Sequence, residues 1–214
     1  DSYSILDIKG IGMADRVSLQ LPLMDMYVPL QAHVALPEGE AWHRPLKLAG
    51  RMMSEEVQVA IGERLGAPTP LLTLLEAHAG LVILGDPGAG KTTFLKYLAL
   101  GLATEKPASP TLANRLPILI RLATYASELA EQDCSLQDFI DKYYRTLGIE
   151  NLPVAELLRT ALDKGRALLL FDGLDEVQES GQRGEIVSRV GTFMAYHRQA
   201  GNKFVLTSRV VGYR

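Results

Sequence analysis

The run Leu81-Val82-Ile83-Leu84, followed without a spacer by Gly85-Asp86-Pro87-Gly88-Ala89-Gly90-Lys91-Thr92, constrains this chain more than any other stretch. The apolar run reads as a buried strand, and the segment after it matches G-x-x-x-x-G-K-[ST], a P-loop in the strand-to-helix setting it requires. Gly85, Gly88 and Gly90 let the backbone bend tightly with its N–H groups turned inward, and a helix beginning near Gly90 adds the positive end of its dipole. Such a nest binds phosphate. Lys91 reaches the β- and γ-phosphates as a point charge, and the Thr92 hydroxyl is placed to ligate Mg²⁺. The expected phosphate-binding set is therefore Gly85, Asp86, Pro87, Gly88, Ala89, Gly90, Lys91, Thr92 and Thr93. A ligand-free glycine turn would leave the agreement of strand, motif and helix unexplained.

A second buried-strand pattern, Ala167-Leu168-Leu169-Leu170-Phe171, ends in Asp172-Gly173-Leu174-Asp175-Glu176. In open parallel sheets the ligand sits beyond the carboxyl ends of the strands, so Asp172 should emerge beside the P-loop and hold Mg²⁺ through water. A carboxylate next to a wall of Leu and Phe needs a partner, and a metal–phosphate cluster provides one. Asp175 and Glu176 are the candidates for orienting or deprotonating an attacking water, Asp175 first and Glu176 second. A salt bridge that holds the loop is the other reading for Glu176. Gly173 stands where many P-loop ATPases carry the catalytic glutamate, which predicts slow turnover.

A third apolar strand, Lys203-Phe204-Val205-Leu206, runs out into Thr207-Ser208-Arg209. Were it to lie between the other two, its tip would point at the γ-phosphate, and Thr207, Ser208 or Arg209 could register hydrolysis. Arg209 is the candidate sensor; taken alone it reads more simply as a surface arginine at a strand end.

Together these residues resemble the NACHT family, a branch of the STAND class of signalling NTPases, and most closely its bacterial members. Leu81 to Leu95 is similar to the family's strand, P-loop and helix, Leu168 to Val177 to its acid-glycine-apolar-acid-acid motif, and Val205 to Arg214 to its sensor strand. Leu116 to Leu122 resembles the intervening strand, and Tyr27-Val28-Pro29-Leu30 a segment ahead of the nucleotide domain. The likeness is good over roughly residues 75–214 and poor over the first seventy or so. Ala123 departs from it, since a second basic residue is expected after Arg121-Leu122. The resemblance implies a switch that rests with ADP, exchanges it for ATP, and self-oligomerises to present a fused effector under control of a sensor domain, in signal transduction or innate immune defence.

Composition bounds the alternatives. With 214 residues and 47% hydrophobic content, the chain can bury one α/β core plus a smaller appendage. A net charge of -3 with dispersed basic residues gives no footprint for nucleic acid. No apolar stretch approaches the roughly 18 residues of a membrane span and no signal peptide leads the sequence, so a cytoplasmic protein without membrane partners is expected. Cys134 is the sole cysteine and His33, His43, His78 and His197 lack ligand spacing, which excludes intrachain disulfides and gives no metal to the histidines.

The expected fold class is α/β: a three-layer P-loop NTPase with a mainly parallel sheet in which the P-loop, sensor and Asp172 strands are adjacent. Residues 1–69 are expected as an extended N-terminal and linker segment with a short helix after Ser54, and 70–214 as the nucleotide domain, ending before a last strand and lid. Val17 to Leu30 alternates as edge strands or an extended wrap, interrupted by Pro22 and Pro29. Helical spacing is expected from Leu71 to Ala79, after the P-loop, from Ser135 to Leu147 with a Ser135–Asp138 capping box, from Pro153 to Leu162, and from Ile186 to His197. Tyr143 and Tyr144 fall on an apolar helix face and His197 at a core edge.

Adenine is favoured over guanine because no Asn-Lys-x-Asp element follows the Phe204 strand, and Tyr27 to Leu30, or residues ahead of Gly85, are candidates for contacting the base. Beside the ATP/ADP switch stand a remodelling or motor ATPase, which would need an arginine finger such as Arg183 or Arg214, then a GTPase, and a small-molecule kinase, which lacks an Arg-rich lid here.

Overall fold

A computed structural model describes residues 5–7, 20–33, 68–104, 106–146, 153–177 and 180–209. The expected helix after Ser54, the residues Val210 to Arg214 and His43 lie outside this set.

Four parallel strands form the main sheet: β5 (Gly80–Leu84), β6 (Leu116–Arg121), β7 (Ala167–Asp172) and β8 (Lys203–Ser208), in the spatial order β5-β8-β7-β6. The sensor strand thus lies between the P-loop strand and the Asp172 strand. All six residues of β7 are buried, because the strand is flanked on both edges and covered on both faces, and this is why its sequence is a continuous Leu and Phe run rather than an alternation.

Alternation in side-chain direction divides the core into two layers. Leu168, Leu170, Val205 and Ile83 face helices α2 (Leu71–Ala77) and α3 (Lys91–Ala103), where Leu75, Phe94, Leu95 and Leu98 are buried. Leu169, Phe171, Phe204 and Leu206 face the other way, onto α4 (Leu122–Glu131), α5 (Leu136–Thr146), α6 (Val154–Asp163) and α7 (Ser180–Arg198). The result is helix, sheet and helix, an α/β P-loop NTPase architecture.

Local signals account for the helix ends. Ser135 Oγ accepts from the Asp138 N–H at 3.1 Å, the N-cap half of the expected capping box, and donates to the Asp138 carboxylate at 2.7 Å. Gly165, at φ 66°, ends the turn after α6. Tyr143 and Tyr144 are half-buried at the core margin, and the Tyr144 hydroxyl accepts from Leu119 N–H at 2.7 Å and donates to Leu119 C=O at 3.1 Å. It closes backbone groups on the outer edge of β6 that a neighbouring strand would otherwise take.

Among the described residues ahead of the nucleotide domain, only some are extended. β1 (Ile5–Asp7) pairs antiparallel with β2 (Gln20–Pro22), and β3 (Gln31–Ala32) with β4 (Thr69–Pro70). Between them Leu23–Met26 forms one helical turn, α1, against α3, where the expected alternation would have continued a strand. The turn buries Leu23 completely, which an extended path along the surface would not do. Tyr27 then stacks on Tyr97 of α3 with ring centroids 3.9 Å apart.

Candidate nucleotide site

The P-loop leaves β5 at Gly85, whose N–H donates to Ser208 C=O of β8 at 3.3 Å. Gly88 and Gly90 sit at φ 80° and 82°, a region that costs a side-chain-bearing residue strain, and Gly90 caps α3. Leu30 presses on this cap: a Cβ at Gly90 would lie 3.3 Å from Leu30 Cδ1. Asp86 to Ala89 are exposed, so the amide cup opens to solvent at the N-terminus of a 13-residue helix. Lys91 Nζ curls back onto the cup, donating to Gly85 C=O at 2.6 Å and Asp86 C=O at 2.9 Å. Thr93, one turn position on, is half-buried.

Thr92 Oγ1 donates to Asp172 Oδ1 at 3.0 Å, joining two motifs eighty residues apart in the chain. The parity of β7 explains the meeting, because Asp172 shares its face with Leu168 and Leu170, the face that α3 covers. The hydroxyl and the carboxylate are the hard oxygen donors that suit Mg²⁺, which is held by one or two protein oxygens while phosphate and water complete an octahedron. Donation of the Thr92 proton to Asp172 leaves the hydroxyl lone pairs for such a cation. Among the described residues no group of three or more His, Cys, Asp or Glu side chains could hold a metal ion.

Beyond Asp172 the chain turns through Gly173, at φ 74°, into a single 3-10 turn over Leu174–Glu176. A Cβ at Gly173 would come within 2.8 Å of Glu176 Cδ, so glycine here leaves room for the Glu176 carboxyl to fold back over the turn. Glu176 is exposed. Asp175 is not: Arg209 N–H donates to its Oδ1 at 2.9 Å and Arg209 Nε pairs with its Oδ2 at 2.7 Å. Arg183 of α7 steadies the turn from below, donating through Nη2 to Val177 C=O at 2.6 Å.

Sequence reading brought the P-loop, Asp172 and β8 to the site, but it did not find the partners that hold them. The Asp175–Arg209 pair, the inward Arg183 and the Glu176 fold over Gly173 were all missed. One signal was present: Thr207 and Val205 share parity, as do Asp172 and Leu170, which puts both polar side chains on the α3 face of adjacent strands. Thr207 Oγ1 donates to Asp172 Oδ1 at 2.8 Å and accepts from Gly173 N–H at 2.9 Å. The Tyr27–Leu30 segment does lie against the P-loop helix, yet the Tyr27 ring is occupied by Tyr97 and Phe94, and burial raises its hydroxyl pKa.

This strand order, loop and acid define a P-loop NTPase, and the family match places it in the STAND class. A family model described as the NACHT domain matches residues 80–212, and the chain belongs to that family of nucleotide-binding NTPases. No curated protein matches the sequence. Among the described residues no helix is long and apolar enough to cross a membrane.

Proposed function

We propose that this chain is an ATP/ADP-operated signalling switch with slow, Mg²⁺-dependent ATP hydrolysis that governs self-association through the nucleotide domain. The observation that carries the reading is the 3.0 Å bond from Thr92 to Asp172, which gathers a hydroxyl, a carboxylate and an amide-lined cup at one strand edge. When bound, Mg²⁺ offsets the charge of the β- and γ-phosphates. The chain's own residues bind and aim the nucleotide: amides from Gly85 to Gly90 receive the phosphate oxygens, and Lys91 leaves two backbone carbonyls to meet them. Among the acids, the exposed Glu176 takes the role of water-activating base, and Asp175, with both oxygens on Arg209, takes the role of holding the sensor. This reverses the order expected from sequence alone.

Slow turnover fits a base that reaches the site only by folding over a glycine, and a sensor arginine already paired with an acid. Of the two arginine-finger candidates, Arg183 points into its own chain and so does not favour a motor, and Arg214 lies outside the described residues. Effector, sensor and oligomeric contacts, and a cytoplasmic setting in signalling or innate immune defence, follow from the family's habit and extend the same proposal. Mass analysis of nucleotide released by denaturing the purified protein tests it. Near one ADP per chain supports a switch; an empty protein that hydrolyses ATP rapidly supports a motor and sinks the switch.

A further inference from the structure

We propose that Thr207 is a positioning residue of the phosphate site, fixing which way Asp172 faces and tying the acidic turn to the sensor strand. The inference rests on the nucleotide-binding reading above and adds a residue to it. Three consecutive residues at the tip of β8 hold all the parts. Ser208 C=O receives the first amide of the P-loop, Thr207 bonds both Asp172 and Gly173, and Arg209 grips Asp175.

The hydrogen-bond polarity at Thr207 has a single solution. Gly173 N–H can only donate, so the Thr207 oxygen must accept it, and the hydroxyl's one proton is then spent on Asp172. Thr207 is 1% exposed and Asp172 9%, so little water competes for this geometry. Both hydroxyls, from Thr92 and Thr207, converge on the same oxygen, Oδ1. That pins the carboxyl plane and leaves the orientation of Oδ2 determined by the protein rather than by the ligand. A donor to an ionised carboxylate is worth more than a neutral one, and pre-setting it removes a reorientation that cation binding would otherwise require. Valine matches threonine in shape but can neither donate to Asp172 nor accept from Gly173.

Calorimetric titration of nucleotide-stripped protein with ADP, once with excess Mg²⁺ and once with EDTA, separates the role from mere folding. Wild type should bind more tightly with Mg²⁺. Thr207→Val should lower the Mg²⁺-dependent affinity by about tenfold or more, the worth of a charge-assisted hydrogen bond, while changing the EDTA affinity less than about twofold. Thr207→Ser should restore most of the difference. Unchanged Mg²⁺ dependence in Thr207→Val, or an equal loss with and without Mg²⁺, overturns the assignment. Should the valine protein not fold, Thr207→Ala, checked by its thermal transition, carries the same comparison: a selective loss with Mg²⁺ supports the assignment, and no loss or an equal one overturns it. Wild type that binds no ADP under either condition would refute the functional reading instead.

Discussion

At the amino-terminal edge of the sheet, Asn202 is buried and fully spent: its Oδ1 accepts from Ala167 N–H at 2.9 Å, and its Nδ2 donates to Leu162 and His197 carbonyls at 2.7 and 2.8 Å. Nearby Arg115 Nη1 reaches the carbonyls of Gly165, Ala167 and Gly201, and Lys203 Nζ those of Leu75, Glu76 and His78. At the carboxyl edge, Lys91 also rests on carbonyls, but on those of an exposed glycine loop, and Glu176 remains open to solvent. One edge uses cations to finish helix and strand ends; on the nucleotide-binding reading, the other keeps its cation where an incoming polyphosphate can meet it. The same side-chain chemistry becomes structural or functional according to whether the carbonyls it meets can be replaced.

Gly165 offers the sharpest break in that comparison. Its φ is 66°, and an added Cβ would sit 1.8 Å from Ala200 C=O, so the loop between α7 and β8 must shift for any side chain to fit. Gly165→Ala should cost about 3 to 4 kcal/mol of stability from backbone strain and overpacking together, measured by urea unfolding. In whatever fraction stays folded, ADP affinity should match wild type. A loss of affinity in folded protein would mean that the two edges are coupled rather than separate.

At the opposite edge, Glu176→Gln should slow hydrolysis by about a hundredfold, at the low end of what a general base contributes, with ATP affinity and thermal midpoint retained. Asp175→Asn should slow it less, because it disturbs Arg209 rather than the attacking water. Single-turnover rates for both variants decide the matter: a larger defect in Asp175→Asn would return the base to Asp175 and make Glu176 the loop-holding acid. Lys91→Ala comes next, with ATP binding weaker by about tenfold to a hundredfold from the lost charged contact and little change in unfolding. Unchanged affinity in calorimetry would remove the P-loop from phosphate binding.

The contrast between the edges also marks what sequence could carry. Leu81 to Thr92 and Ala167 to Asp172 announce strand, turn and ligand chemistry locally, and the β7 run of Leu and Phe announces a central strand, because each signal sits within a few residues. Which acid faces which arginine depends on the order β5-β8-β7 and on the sharp turn at Gly173, where a left-handed residue re-aims the next three side chains. The α1 turn was illegible for a different reason: alternation of Leu21, Leu23 and Val28 suits an extended chain, and only contact with α3 tips it into a helix. Asn202 and Arg115 carried no pattern at all, since their partners are backbone N–H and C=O groups, to which nearly every residue type contributes alike.

His197 supplies the smallest effect and the finest test of separateness. It lies near the end of α7 against Phe193, with centroids 4.4 Å apart, and burial holds its imidazole below the usual histidine pKa, partly opposed by Asp163. The unfolded chain therefore takes up a proton more readily than the folded one as pH falls through about 6.5. The folded state should lose stability on acidification from about pH 7.5 towards the depressed folded pKa, and level off below it. His197→Gln removes the titration, so its thermal midpoint should fall less than that of wild type over the same interval. Identical pH slopes would show that His197 is no more buried in effect than a surface histidine. A change in ADP affinity that tracked the histidine titration would show instead that protons at the finished edge of the sheet are felt at the open one.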